Sequence, residues 1–157
     1  MNKNRNLLLR SIALPLLVGI VSGLLTRNAM QDFSSLIKPP LSPPGWLFPI
    51  VWTILYTLMG ISAYLIKKSD ASEEEKSDAL MIYNYQLIVN FLWPIFFFNF
   101  EWYLFSFFWL LLLWFLVILM IRRFDKINQT AAYLNLPYLL WLTFAAYLNF
   151  GIWWLNR

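Results

Sequence analysis

Trp102-Tyr-Leu-Phe-Ser-Phe-Phe-Trp-Leu-Leu-Leu-Leu-Trp-Phe-Leu-Val-Ile-Leu-Met-Ile121 carries no charge, and it is bracketed by Glu101 on one side and Arg122-Arg123 on the other. About twenty predominantly apolar residues, rising about 1.5 Å each as a helix, span the roughly 30 Å hydrocarbon core of a bilayer. Four further segments have the same character: Leu7 to Thr26, Trp46 to Ile66, Leu80 to Phe98 and Ala131 to Trp154. Together they predict an all-α integral membrane protein, a single domain over residues 1–157 built as a bundle of five transmembrane helices. Composition agrees. The 157 residues are 61% hydrophobic and 13% charged, where soluble domains hold about 45–50% and about 25%. Cys and His are absent, which removes disulfides, thiolate nucleophiles, imidazole catalysis and the usual zinc or haem ligands; no metal site is expected.

Charge sets the expected topology. Arg10 and Glu101 lie at span ends, and the five interiors are otherwise free of charge, so no ion pathway or proton relay is written here. Lys3, Arg5, Arg10, Lys67, Lys68, Lys76, Arg122, Arg123 and Lys126 fall on one side; Arg27, Lys38 and Arg157 fall on the other. Lys and Arg accumulate on the cytoplasmic side, which predicts a cytoplasmic N terminus, an external C terminus and, by that asymmetry, a bacterial plasma membrane. The same distribution, in short clusters between apolar runs, argues against nucleic acid as a partner. Leu24-Leu25-Thr26-Arg27 offers no small-x-small cleavage site, so the first span reads as a retained helix and not as a signal peptide.

The connections differ in kind. Residues 67–79, with Glu73-Glu74-Glu75-Lys76, read as a solvated loop or helix extension, and Asn99 to Glu101 is short enough to force an antiparallel hairpin. Arg27 to Gly45 is longer and contains Lys38-Pro39-Pro40-Leu41-Ser42-Pro43-Pro44-Gly45. Proline fixes φ and removes backbone donors, so this stretch is expected to be stiff, extended and non-helical. It reads either as a lid, through Lys38, Pro39, Pro43 and Pro44, or as a spacer.

Aromatic and amide residues sort by depth. Trp46, Trp102, Trp153 and Trp154 sit at span ends, where an interfacial belt accounts for them. Trp52, Trp93 and Trp141 lie inside spans. At about 1.5 Å per residue, Trp52 and Trp93 lie roughly 9 Å below the external ends of their helices, Tyr56, Asn90 and Ala145 roughly 14 Å, and Gly60, Gln86 and Trp141 roughly 20 Å. Spacings of three and four align Trp52, Tyr56 and Gly60, then Gln86, Asn90 and Trp93, then Tyr138, Trp141, Ala145 and Asn149, one stripe per helix. Amides in hydrocarbon face the bundle interior; Gln86, Asn90 and Asn149 there either join helices or serve a ligand. Pro94 and Pro137 are expected to bend their helices and make room. The pattern suits a pocket for a large, flat, mostly apolar aromatic molecule.

At these residues the chain resembles the translocator protein family, also called the tryptophan-rich sensory or peripheral benzodiazepine receptor family. The resemblance is carried by Lys38-Pro39 to Pro43-Pro44-x-Trp46 with Val51-Trp52-x-x-Leu55-Tyr56-x-x-Met59-Gly60, by Gln86-Leu87-x-x-Asn90-x-x-Trp93-Pro94, and by Pro137-Tyr138-x-x-Trp141-x-x-Phe144 with Leu148-Asn149. It implies a five-helix bundle, commonly a homodimer, that binds protoporphyrin IX and other tetrapyrroles, as well as isoquinoline carboxamide and benzodiazepine drugs. The implied ligand positions are Trp52, Tyr56, Asn90, Trp93, Trp141, Ala145 and Leu148. The family's sterol pattern is degenerate here: Phe150 and Trp153 stand where Tyr and Arg belong. Gly19-x-x-x-Gly23 is the remaining close-packing candidate for a dimer face.

The expected function is therefore a membrane receptor for porphyrins that promotes their light- and oxygen-dependent breakdown, with Trp52 and Trp141 as the reactive indoles. The alternatives are a sensor without turnover and a tetrapyrrole or sterol transporter. A transporter fits least, because the chain shows no internal repeat and no intramembrane charge. Protoporphyrin is expected to bind as a metal-free ligand without axial ligation, Met59 being the only mid-span thioether near the stripes.

Overall fold

The computed structural model describes residues 2–157, which form helices and no strand. Five helices are long and apolar enough to cross a membrane. The first, α1, spans Lys3–Thr26 and starts at Asn2, whose side chain accepts the N–H of Asn4. A short helix, α2 (Ala29–Phe33), then precedes the Pro-rich stretch, and α3 covers Leu47–Lys68. Helix α4 (Glu73–Pro94) opens with a reciprocal cap: Glu75 N–H donates to Ser72 Oγ at 3.2 Å, and Ser72 N–H donates to the Glu75 carboxylate at 3.0 Å. The charged stretch before Leu80 is thus a helix extension satisfying its own terminal donors.

Proline shapes two spans, the second differently from expectation. Pro94 has no N–H to return to Asn90, and the chain beyond it widens into a π-helical turn, Ile95–Asn99, in which Phe100 N–H reaches back to Ile95 O. A tight corner follows, with Glu101 at φ 55°, and α5 (Tyr103–Asp125) returns antiparallel. The last span, expected to run unbroken from Ala131 to Trp154, is interrupted: α6 (Gln129–Tyr133) ends before Asn135, and α7 (Leu136–Leu155) begins with Pro137 in its first turn. A continuous helix would press the Pro137 ring on the carbonyl of Tyr133, so proline here starts a helix and does not bend one. Asn135 sits fully buried at the break and donates to Ser62 Oγ (2.6 Å) and Ala131 O (3.0 Å).

Helix α1 lies along α3, α4 along α5, and α5 along α7. The ring closes between α3 and α7 through side chains, Phe48 against Trp141 (centroids 5.7 Å) and Trp52 against Tyr138 (6.1 Å). These two contacts correct the depth reading. Trp141, placed level with Gly60 by counting from the end of its helix, meets Phe48 in the first turn of α3. The helix ends are not level: α7 stands roughly 15–20 Å proud of the start of α3, by the rise per residue.

The half of the bundle away from the Pro-rich stretch is solid. Met59, Ile66, Tyr83, Leu113, Val117, Met120, Phe124 and Leu142 are all buried there. Gly60 lets α1 approach, since a Cβ at that position would strike the backbone of Ser11 and Ile12. The half beneath the Pro-rich stretch is hollow.

Candidate ligand-binding cavity

A cavity of about 730 Å³ occupies that half, walled by α1, α3, the end of α4 with its π turn, and α7, and roofed by residues between Met30 and Gly45. Trp52, Tyr56, Asn90, Trp93, Trp141, Ala145 and Leu148 all line it. Helix α5 contributes nothing to the lining. Its two mid-span tryptophans are used elsewhere, Trp109 Nε1 donating to Val89 O (2.8 Å) and Trp114 Nε1 to Thr143 Oγ1 (2.9 Å).

The floor is one hydrogen-bonded chain across three helices. Tyr56 OH donates to Asn90 Oδ1 (2.8 Å), Asn90 Nδ2 to Tyr138 OH (2.6 Å), Tyr138 OH to Gln86 Oε1 (2.8 Å), and Gln86 Nε2 to Met59 Sδ (3.7 Å). The far wall has a second junction: Asn149 Oδ1 accepts from Trp93 Nε1 (3.0 Å) and Ser106 Oγ (3.2 Å), and its Nδ2 donates to Tyr103 O (2.8 Å). Of the two roles open to the amides, Gln86 only joins helices, while Asn149 joins helices and also lines the cavity. Asn90 likewise does both. Met59 lies under the floor, fully buried with its sulfur toward Gln86, and does not line the cavity.

Against that fully used network, Trp141 stands apart. Its Nε1 is shielded from solvent and has no hydrogen-bond partner among the described residues. That nitrogen is closed to the cavity as well, so Trp141 meets the hollow with its ring and not with its N–H.

The Pro-rich roof is fastened to the raised end of α7. Asn156 holds Ile37 from both sides, Ile37 N–H donating to its Oδ1 (3.0 Å) and its Nδ2 donating to Ile37 O (2.8 Å). Tyr147 OH donates to Pro40 O (2.8 Å), and Pro39 packs so closely on Gly151 that a Cβ there would meet the ring at 2.6 Å. Lys38 and Pro43 line the cavity; Pro39 and Pro44 do not.

Gly19 and Gly23, expected on a dimer face, line the cavity instead. A Cβ on Gly19 would run into the Tyr56 ring, while Gly23 has open space before it. The small residues of α1 make room for Tyr56 and the hollow. Phe33, Phe48 and Phe97 are lining residues that the stripes missed. Phe97 was within reach of the sequence, four positions after Trp93, and the two rings stack at 5.1 Å; Phe33 and Phe48 arrive by tertiary contact alone.

Five membrane-length helices around an aromatic hollow with no acidic lining define a polytopic integral membrane protein with an internal, one-sided cavity. The TspO/MBR family model matches residues 11–155. A protein of Chlorobaculum tepidum called tryptophan-rich protein TspO is 35% identical over 99% of both chains. Its namesake from Archaeoglobus fulgidus is 35% identical over 95% of this chain and 96% of its own. The translocator protein of Bos taurus is 34% identical over 92% and 86%. The chain belongs to the TspO/MBR family.

Proposed function

We propose that the protein is a membrane receptor that takes protoporphyrin IX or a related tetrapyrrole into the cavity and promotes its breakdown by light and oxygen. The observation that carries this reading is the cavity itself: about 730 Å³, walled by Trp52, Tyr56, Trp93 and Trp141, with no acidic side chain in its lining. Flat apolar rings gain burial and stacking from such walls, and the volume falls within the roughly 300–1,000 Å³ of small-molecule sites. In the proposed reaction the photoexcited porphyrin passes energy to dioxygen, which adds to the macrocycle, or exchanges an electron with Trp52 or Trp141. Neither route calls for an acid–base residue. In this reading the N terminus lies in the bacterial cytoplasm.

Purified protein titrated with protoporphyrin IX in darkness should show Trp fluorescence quenching, and illumination should then bleach the porphyrin bands faster than in protein-free detergent. Trp52→Phe and Trp141→Phe should slow the bleaching while retaining dark binding; unchanged product formation in both would remove the indoles from the chemistry. A sensor without turnover is the second reading, favoured by the roof's attachment to α7, through which ligand occupancy would reach an external surface. Tight dark binding with no protein-dependent product under light would select it.

A further inference from the structure

Among the described residues, Lys38 is the only charged one lining the cavity. Its ammonium lies 4.9 Å from the centroid of the Phe33 ring, and Phe33 in turn packs on Phe97 and Phe98. No carboxylate lies within ion-pair reach of it among the described residues; the ion pairs present are Lys76–Glu73 and Arg123–Asp78, at the other end of the bundle. Its neighbours on both sides are fixed, Ile37 by the two bonds to Asn156 and Pro39 by its seat on Gly151. The backbone carrying this lysine is therefore held over the rim, although the side chain has no protein partner that explains the holding. The other external cation near the end of α7, Arg157, is taken up by the Trp154 ring at 3.5 Å.

We infer that Lys38 is a specificity-determining residue that selects ligands carrying a carboxylate on the edge of an apolar ring system. The inference rests on the tetrapyrrole reading and adds an orientation to it. The ring body enters toward Trp52 and Asn90, and the acidic edge stays at the roof. The physical reason is the contrast in surroundings. The walls are neutral and apolar, so a carboxylate has nothing to pair with below the rim and retains its desolvation cost there. At the rim it meets one exposed ammonium that rests beside an aromatic face and still has donors to give. Ligands with a cationic edge are repelled at the same place.

The test compares protoporphyrin IX with its dimethyl ester, which keeps the macrocycle and removes both charges, on the full chain in detergent or nanodiscs and in darkness. Affinities are read by Trp quenching for the natural sequence, Lys38→Gln and Lys38→Arg. Because each ligand partitions differently into detergent, the quantity read is the diacid-to-ester affinity ratio relative to that of the natural sequence. For a partly exposed ion pair, Lys38→Gln should lower this ratio by about fivefold with the ester unaffected; Lys38→Arg should keep it, and added salt should narrow it only where the cation is present. An unchanged ratio in Lys38→Gln, or an equal loss for both ligands, overturns the inference and leaves the porphyrin reading intact. Failure of the natural sequence to bind either ligand overturns both.

Discussion

Tyr56 and Gly19 occupy one site between them. The ring lies where a side chain on Gly19 would be, and its hydroxyl is the first donor of the floor chain, 2.8 Å from Asn90. Gly19→Ala should therefore push the ring off Asn90, lower thermal stability by about 1–3 kcal/mol through overpacking and a lost buried hydrogen bond, and weaken porphyrin binding. Gly23→Ala, facing open space, should leave the melting temperature unchanged; equal melting of the two variants would contradict this packing. At this scale the sequence was informative about chemistry and silent about partners. Asn90 was legible as an inward residue because amides do not face lipid, and Tyr56 and Trp93 because three-or-four spacing sets them on the same stripes. The small residues of α1 were legible as a close-packing stripe, but spacing does not say whether the surface approaching it is a second chain or α3 of the same one.

Among the elements, α7 and the Pro-rich roof act together. The roof is a stiff chain laid against the last turns of a helix that projects beyond its neighbours, tied by Asn156, Tyr147 and the flat surface at Gly151. Gly151→Val would lift Pro39. If that contact is weakened by about 1 kcal/mol, a ligand held beneath the roof should leave about fivefold faster in stopped-flow displacement, with association little changed. A dissociation rate equal to that of the natural sequence would show that the roof does not retain the ligand. The prolines explain why element boundaries were harder to read than elements. Pro94 and Pro137 were both expected to bend helices, yet one is followed by a π turn and the other opens a helix, because the outcome depends on whether the carbonyl four residues earlier finds another partner or the chain simply breaks before it.

For the whole molecule, the outward-facing residues are apolar, with Trp46, Trp102 and Trp154 exposed near the helix ends, as an integral membrane protein requires. The chain has no cysteine, so single cysteines report sidedness cleanly. In intact bacterial cells Leu41→Cys should react with a membrane-impermeant maleimide, and Ala71→Cys should react only after permeabilisation; the reverse pattern would invert the topology derived from the Lys and Arg count. Hydropathy alone determined the five spans, their approximate limits and their antiparallel hairpin, because an apolar helix of bilayer length has one stable setting in a membrane. Residue type and three-or-four spacing determined which face of α3, α4 and α7 points inward. Only the tertiary structure decided that α5 buttresses the bundle without touching the cavity, that α1 closes it, and that Trp141 meets the first turn of α3. Those depend on how far each helix slides along its neighbours, and sliding is set by side-chain interlock between helices, such as Gly60 on Ser11 and Asn149 on Trp93, which no single helix records in its own periodicity.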